Sequence, residues 1–235
     1  MAIPRGAEPT GVILADKPAG PSSFAIVSAV RRRTGAKTGH AGTLDPFASG
    51  LLVLLSGRAT SLQDRFMKLD KRYLTSIDLR SRTTTGDPEG EPLDEREPPA
   101  VDELEQALAP LCGVVELPVP AASAVKIDGE RAYRLHRRGT VVEMPVRAMR
   151  IHELSLLGYD GGIAELDLLV GSGTYVRSIA DALGGHCVAL RRTEVGPFRV
   201  EEADAERVID VGDALLRLGP DPTGLTPPAT LWEPE

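Results

Sequence analysis

Apolar residues in this chain come in short runs, divided by Gly, Pro and polar clusters. Val12 to Leu14 predicts a short strand that ends at Pro18-Ala19-Gly20-Pro21. Ser22 or Ser23 can cap a helix that carries Ile26, Val27 and Val30 and stops at Gly35. Residues 36–50 hold three glycines, a proline and few apolar side chains, and read as a loop. Leu51 to Leu55 is continuously apolar and reads as a buried strand. Thr60 to Gln63 fits a capping box, with Leu62, Phe66 and Leu69 on one helical face. Arg72 to Leu79 predicts a strand, and Thr83 to Pro99 an exposed loop rich in Gly, Pro and acid. Val101, Leu104, Leu108 and Leu111 stand at helical spacing, and Val114 to Val119 reads as a strand closed by Pro120. Ala121 to Thr140 reads as loop plus a short helix. Val146 to Leu157 and Ile163 to Val170 read as strands. In the second, Ala164, Leu166, Leu168 and Val170 alternate with Glu165 and Asp167. Val176, Ile179, Ala180 and Leu183 predict an amphipathic helix just after Thr174. Val188 to Val200 predicts a strand broken at Gly196-Pro197, and Asp213 to Leu218 a last short helix. Strands and helices do not alternate strictly. The expected fold class is therefore α+β, with a mixed, largely antiparallel sheet flanked by helices and loops.

Composition narrows the class. With 42% hydrophobic and 26% charged residues, the chain is an ordinary globular protein. Aromatics are only 4%, so Leu, Val, Ile and Ala must fill the core. Its 235 residues make one large domain, or one domain with a small appendage. No apolar run approaches the ~20 residues of a membrane helix. The N-terminus has no apolar stretch after Arg5, so no signal peptide is expected. Two cysteines, Cys112 and Cys187, are too few for a disulfide framework. The expected location is the reducing cytoplasm, with no membrane partner.

The net charge of −7 argues against a nucleic-acid partner until its distribution is read. Glu194 to Glu235 carries ten acids and three bases, and Arg80 to Glu105 nine acids and three bases. The remainder is basic, and the charge is clumped. The clumps are Arg31-Arg32-Arg33 with Lys37, Lys68-Lys71-Arg72, Arg131-Arg134-Arg137-Arg138 with Arg147 and Arg150, and Arg191-Arg192. Each clump alone reads as a solvated face; four together favour a local polyanion site.

Several motifs fail on inspection. Gly35-Ala36-Lys37-Thr38 lacks the glycine that a phosphate loop needs before its lysine. Gly171-Ser172-Gly173 lacks the third glycine of a dinucleotide fingerprint. His40, His136, His152, His186 and the cysteines show no paired ligand spacing, so no metal is expected. What remains is Gly39-His40-Ala41-Gly42-Thr43-Leu44-Asp45-Pro46-Phe47-Ala48-Ser49-Gly50-Leu51-Leu52. A carboxylate before Pro sits in a glycine-flanked loop that leads into a buried strand. The residues alone leave two readings: Asp45 caps a turn, or it is a reactive group on a loop held by a rigid scaffold.

This segment resembles the active-site motif of the TruB family of tRNA pseudouridine-55 synthases. Other blocks match in order. Asp16-Lys17-Pro18-Ala19-Gly20-Pro21-Ser22-Ser23 resembles the family's lysine-proline motif. Lys71-Arg72-Tyr73, with Thr84-Thr85-Gly86-Asp87-Pro88-Glu89-Gly90, resembles its tyrosine motif. Pro120 to Tyr133 resembles its RNA-gripping loop, and Gly173-Thr174-Tyr175-Val176-Arg177-Ser178-Ile179-Ala180 its arginine motif. Leu190-Arg191-Arg192-Thr193 with Gly196-Pro197-Phe198 closes the set. The link at Gly184-Gly185-His186 is shorter than the family's usual one. The resemblance implies an N-terminal extension over 1–10, a catalytic domain over 11–200 and a short acidic, Pro-rich tail over 201–235. The basic C-terminal RNA-binding domain of longer members is expected to be absent.

The resemblance also implies the chemistry. Uridine becomes pseudouridine when the base leaves through N1, turns and rejoins the sugar through C5. No atoms are gained or lost, so no cofactor is expected. Asp45 is implied as the catalytic carboxylate and Arg177 as the guanidinium that keeps it ionised. Tyr73 is implied to stack on the uracil, an interaction worth ~1–3 kcal/mol. Tyr175 and Leu190 line the same pocket. His40 wedges into the gap left by the flipped base. Lys17 braces the site beside Pro18, and Lys126 contacts the substrate from the gripping loop. The implied partner is the T-arm stem-loop of tRNA, held by the basic clumps, with no obligate protein partner.

Overall fold

A computed structural model describes residues 9–140 and 142–220. In chain order the elements are β1 (Gly11–Lys17), α1 (Ser23–Thr34), β2 (Thr38–His40), β3 (Ser49–Ser56), α2 (Gln63–Met67) and β4 (Lys71–Asp78). They continue with α3 (Val101–Leu108), β5 (Gly113–Pro118), β6 (Lys126–Ile127), β7 (Glu130–Arg131), α4 (Ala132–Arg137), β8 (Val146–Asp160) and β9 (Ile163–Val170). The last are α5 (Val176–Ala182), β10 (His186–Val195), β11 (Phe198–Arg199), β12 (Asp204–Ile209) and α6 (Val211–Leu218). The chain divides into two compact units, one of residues 1–71 with 191–235, the other of 72–190.

The first unit is built on β1 and β3, antiparallel over their whole length from Gly11↔Ser56 to Lys17↔Gly50. Both strands are apolar on both faces. Leu51, Val53 and Leu55 join Val12 and Leu14 in one core cluster, while Leu52 and Leu54 join Ile13 and Ala15 in another. A period of two inside a continuous apolar run sends alternate side chains into different cores. β12 pairs with β1, β2 with β3, and Arg191 and Arg192 of β10 run parallel to Ser49 and Gly50. Helix α1 has the predicted ends: Ser22 Oγ accepts from Ala25 N, and Gly35, at φ 71°, donates its N–H to Arg31 O at 2.8 Å.

Two expectations give way in this unit. The capping box at Thr60 is not formed. Residues 57–62 make a 3₁₀ turn, and Thr60 Oγ1 donates back to Gly57 O. The segment read as the start of a tail is built into the core as far as Leu218. β12 covers an edge of β1, and Val211, Ala214 and Leu215 of α6 are buried in the larger cluster. The remainder of the tail, 221–235, lies outside the described residues.

The second unit has the strand order β10-β4-β9-β8-β5, in which β8 pairs antiparallel with both β9 and β5. Leu166, Leu168 and Val170 of β9 point into its core with Ile77, Leu104, Leu108 and Ile179. The short link after α5 is a glycine turn. Gly184 has φ 78°, and a Cβ on Gly185 would stand 2.4 Å from Asp78 O. Only glycine lets the chain pass so close to β4 on its way into β10. β6 and β7 form a separate hairpin that leads into α4. Both units therefore carry the expected mixed, largely antiparallel sheets with flanking helices.

Candidate active site

In the first unit, the loop between β2 and β3 carries half-buried Asp45. Its backbone is held from several sides. Ser23 Oγ donates to Leu44 O at 2.9 Å and accepts from Leu44 N at 2.8 Å. Lys17, fully buried at the end of β1, donates to Pro18 O, Pro21 O and Pro46 O at 2.9, 2.8 and 3.2 Å. Gly20 N reaches the same Pro46 carbonyl at 2.7 Å. The lysine-proline segment is thus a brace for the turn that follows Asp45. Asp45 Oδ atoms act on Lys17 through space: burial lowers the ammonium's pKa, the Asp45 carboxylate opposes that shift, and Arg192 adds to it.

Arg192 is only 1% exposed. Its Nε donates to Leu51 O at 2.7 Å, and its two terminal nitrogens to Gly42 O at 3.1 Å and Thr43 O at 3.4 Å. Gly50 makes room for it: a Cβ there would lie 2.2 Å from Arg192 O. Lys71 is also buried, and its Nζ donates to Met67 O at 2.6 Å and to Leu69 O. Burial, then the charge of Arg192, lowers the Lys71 pKa to about 8, with Asp70 opposing. Neither Arg192 nor Lys71 is a solvated member of a basic clump, which corrects that reading of both residues. Arg72 is likewise engaged, with Asp167 at 2.7 Å and Glu153 at 3.2 Å. Arg131, Arg134, Arg137 and Arg138 remain exposed, with Arg134 and Arg137 over the Tyr133 ring.

His40 ends β2. Its carbonyl accepts from Gln63 Nε2 at 3.0 Å, and its Nδ1 is buried with no partner among the described residues. Burial, then Arg192, lowers its pKa below the ordinary histidine value, so the ring is neutral at pH 7.

In the second unit, Arg177 sits on α5 and is 3% exposed. Its terminal nitrogens donate to Thr85 O at 2.8 Å and Ala122 O at 3.0 Å, and one lies 3.2 Å from Asp87 Oδ2. Asp87 is buried too, and accepts from Thr85 Oγ1 at 2.5 Å and from Glu89 N at 3.0 Å. Cys187 N donates to Gly86 O, which fastens the same turn to β10. The sequence places Asp87 among acids in an exposed-looking loop and carries no sign of its burial. Ser123, in the gripping segment, likewise carries no local signal of its place. It is buried, and its Oγ has no partner among the described residues. Tyr73 on β4 and Leu190 on β10 are buried, Tyr175 just before α5 is half-buried, and Lys126 on β6 is exposed.

A sequence-family model for the N-terminal domain of TruB family pseudouridylate synthases matches residues 31–176, well over half of the chain. The chain belongs to the TruB family. It is an enzyme of the pseudouridine synthase class. The matched span includes His40, Asp45, Tyr73 and Asp87, whereas Lys17, Arg177 and Leu190 lie outside it. Among TruB relatives, the tRNA pseudouridine synthase B of Thermobifida fusca (strain YX) is 43% identical over 82% of this chain and 72% of its own length. That of Bordetella avium (strain 197N) is 40% identical over 97% of this chain and 99% of its own. A chain in the crystal structure of a Cbf5-Nop10-Gar1 complex is 26% identical, with a TM-score of 0.63, over 81% of this chain and 50% of that one. No helix among the described residues is long and apolar enough to cross a membrane.

Proposed function

We propose that this TruB family member converts uridine 55 in the T-loop of tRNA to pseudouridine, with Asp45 as the reacting carboxylate. The observation that carries the reading is the end-to-end match to the tRNA pseudouridine synthase B of Bordetella avium. The braced Asp45 loop supports it: a carboxylate on a backbone fixed by Lys17, Ser23 and Arg192 is pre-oriented for attack. Asp45 acts either as nucleophile, at the anomeric carbon or at the uracil ring, or as base toward the sugar proton beside the broken bond. The N1–C1′ bond breaks, the C5–C1′ bond forms, and the C5 proton is lost while N1 regains one. The step is atom- and redox-neutral, so it needs no external donor or acceptor of electrons.

Tyr73 stacks on the uracil, with Tyr175 and Leu190 completing the apolar walls. Arg177 keeps Asp45 ionised, and a neutral His40 fills the space vacated by the flipped base. Lys126 and the exposed arginines of 131–138 grip the backbone of the T-arm stem-loop. The catalytic domain starts at residue 11 and continues past 200 through β12 and α6, and the enzyme works in the cytoplasm without an obligate protein partner. Incubation with an unmodified tRNA transcript, followed by mapping of pseudouridine at each position, tests the reading. Modification at position 55 alone is expected. Modification elsewhere, or none, overturns it.

A further inference from the structure

We propose that Arg192 is a positioning residue that fixes the Asp45 loop at both of its ends. The inference rests on reading Asp45 as the reacting carboxylate. One planar guanidinium bonds Gly42 O and Thr43 O, where the loop leaves β2, and Leu51 O, where the chain has entered β3. Asp45 lies between these points. The five N–H groups of a guanidinium diverge from one rigid plane, so three acceptors on one fork are fixed relative to one another. Lys17 and Ser23 hold Leu44 and Pro46, on either side of Asp45. Arg192 spans the loop from entry to exit, alongside the backbone bond from Ala41 N to Val53 O at 2.9 Å.

The packing around Arg192 agrees with this role. β10 runs parallel to β3 at Arg192↔Gly50, and the absence of a Cβ at Gly50 brings the backbones close enough for the side chain to reach Leu51 O. Its neighbour Arg191 lies on the opposite face and binds Asp16. Among the described residues no carboxylate pairs with Arg192; its acceptors are all backbone carbonyls. Its charge is therefore left to act on its surroundings, and it bears on His40, Lys17 and Lys71. A residue present only to neutralise an acid would not be bonded this way.

The deciding variants are Arg192→Lys and Arg192→Met, each compared with wild type and Asp45→Asn. Lys keeps the charge and most of the length, but its single ammonium cannot span the three acceptors. A displacement of about 1 Å at a reacting group can cost 100-fold in rate. We expect single-turnover isomerisation of tRNA to fall about 100-fold in Arg192→Lys and further in Arg192→Met. The Kd for tRNA should change less than about threefold in both, since the side chain is buried. A folded Arg192→Lys that reacts at the wild-type rate overturns the inference, because charge alone then suffices. A Kd that weakens in step with the rate also overturns it, because Arg192 then belongs to RNA binding. An active Asp45→Asn instead sinks the assignment of Asp45. If neither Arg192 variant folds, hydrogen exchange in the wild-type protein decides. The Nε–H of Arg192, bonded to Leu51 O, should exchange far more slowly than that of exposed Arg32; equal exchange rates overturn the inference.

Discussion

The two units hold their key cations in opposite ways. In the first, Lys17, Lys71 and Arg192 are bonded to backbone carbonyl oxygens. In the second, Arg177 shares its bonds between two carbonyls and the carboxylate of Asp87. A carbonyl fixes a cation's position without cancelling its charge; a carboxylate does both. In the first arrangement, burial chiefly lowers the pKa values of Lys17, His40 and Lys71, and the uncancelled charge of Arg192 adds to each shift. The second locks a guanidinium against a buried carboxylate as well as carbonyls.

The comparison is broken most severely at Asp45. Asp45→Asn keeps the shape and removes the charge. Isomerisation should fall by at least about 100-fold, the low end of what a positioned proton-transfer group contributes. Binding of tRNA, followed by filter retention, should change little. Near-normal turnover would remove Asp45 from the chemistry.

Asp87→Ala tests the second arrangement. It strips a carboxylate from a buried guanidinium, and breaking a buried pair costs about 3–5 kcal/mol. The urea midpoint should drop accordingly, and turnover should fall more than tRNA affinity. An unchanged midpoint would mean that Asp87 contributes little to holding Arg177.

Removing residues from Val211 onward should also destabilise the first unit. Burial of a Val or Leu side chain is worth about 1.5–3 kcal/mol, and Val211 and Leu215 are both in the core. A fall in melting temperature is expected; a second truncation, after Gly219, tests the acidic end for a part in RNA binding. Loss of RNA binding in the second truncation would give the acidic end a role that its charge argues against.

The smallest effect sharpens the electrostatic half of the comparison. A ¹³Cε NMR titration should give Lys71 a midpoint near its pKa of about 8, while exposed lysines titrate near 10.4. The folded pKa lies below the unfolded one. The unfolded chain therefore binds more protons between about pH 8 and 10.4, and Lys71 makes stability rise with pH across that window. Lys71→Met should remove that part of the slope. A midpoint at the ordinary lysine value would show that Arg192 and burial do not act on Lys71.

Much of this protein follows from local rules. The Ser22 cap, the Gly35 stop and the apolar run of β3 were legible because each rests on a few neighbouring residues. The ordered motif blocks around Asp45, Tyr73 and Arg177 were legible for the same reason, and they suffice to place the chain in its family. Tertiary structure decided the rest. Arg191 and Arg192 read as one basic pair, yet a strand turns adjacent side chains to opposite faces, one toward Asp16 and the other into the core. Asp87 read as one acid among many in an exposed loop, until packing against α5 buried it beside Arg177. β12 is too polar to announce itself as a strand, because an edge position needs only one covered side. Whether a charged residue is solvated or structural depends on what the rest of the chain places over it, and local spacing carries no record of that.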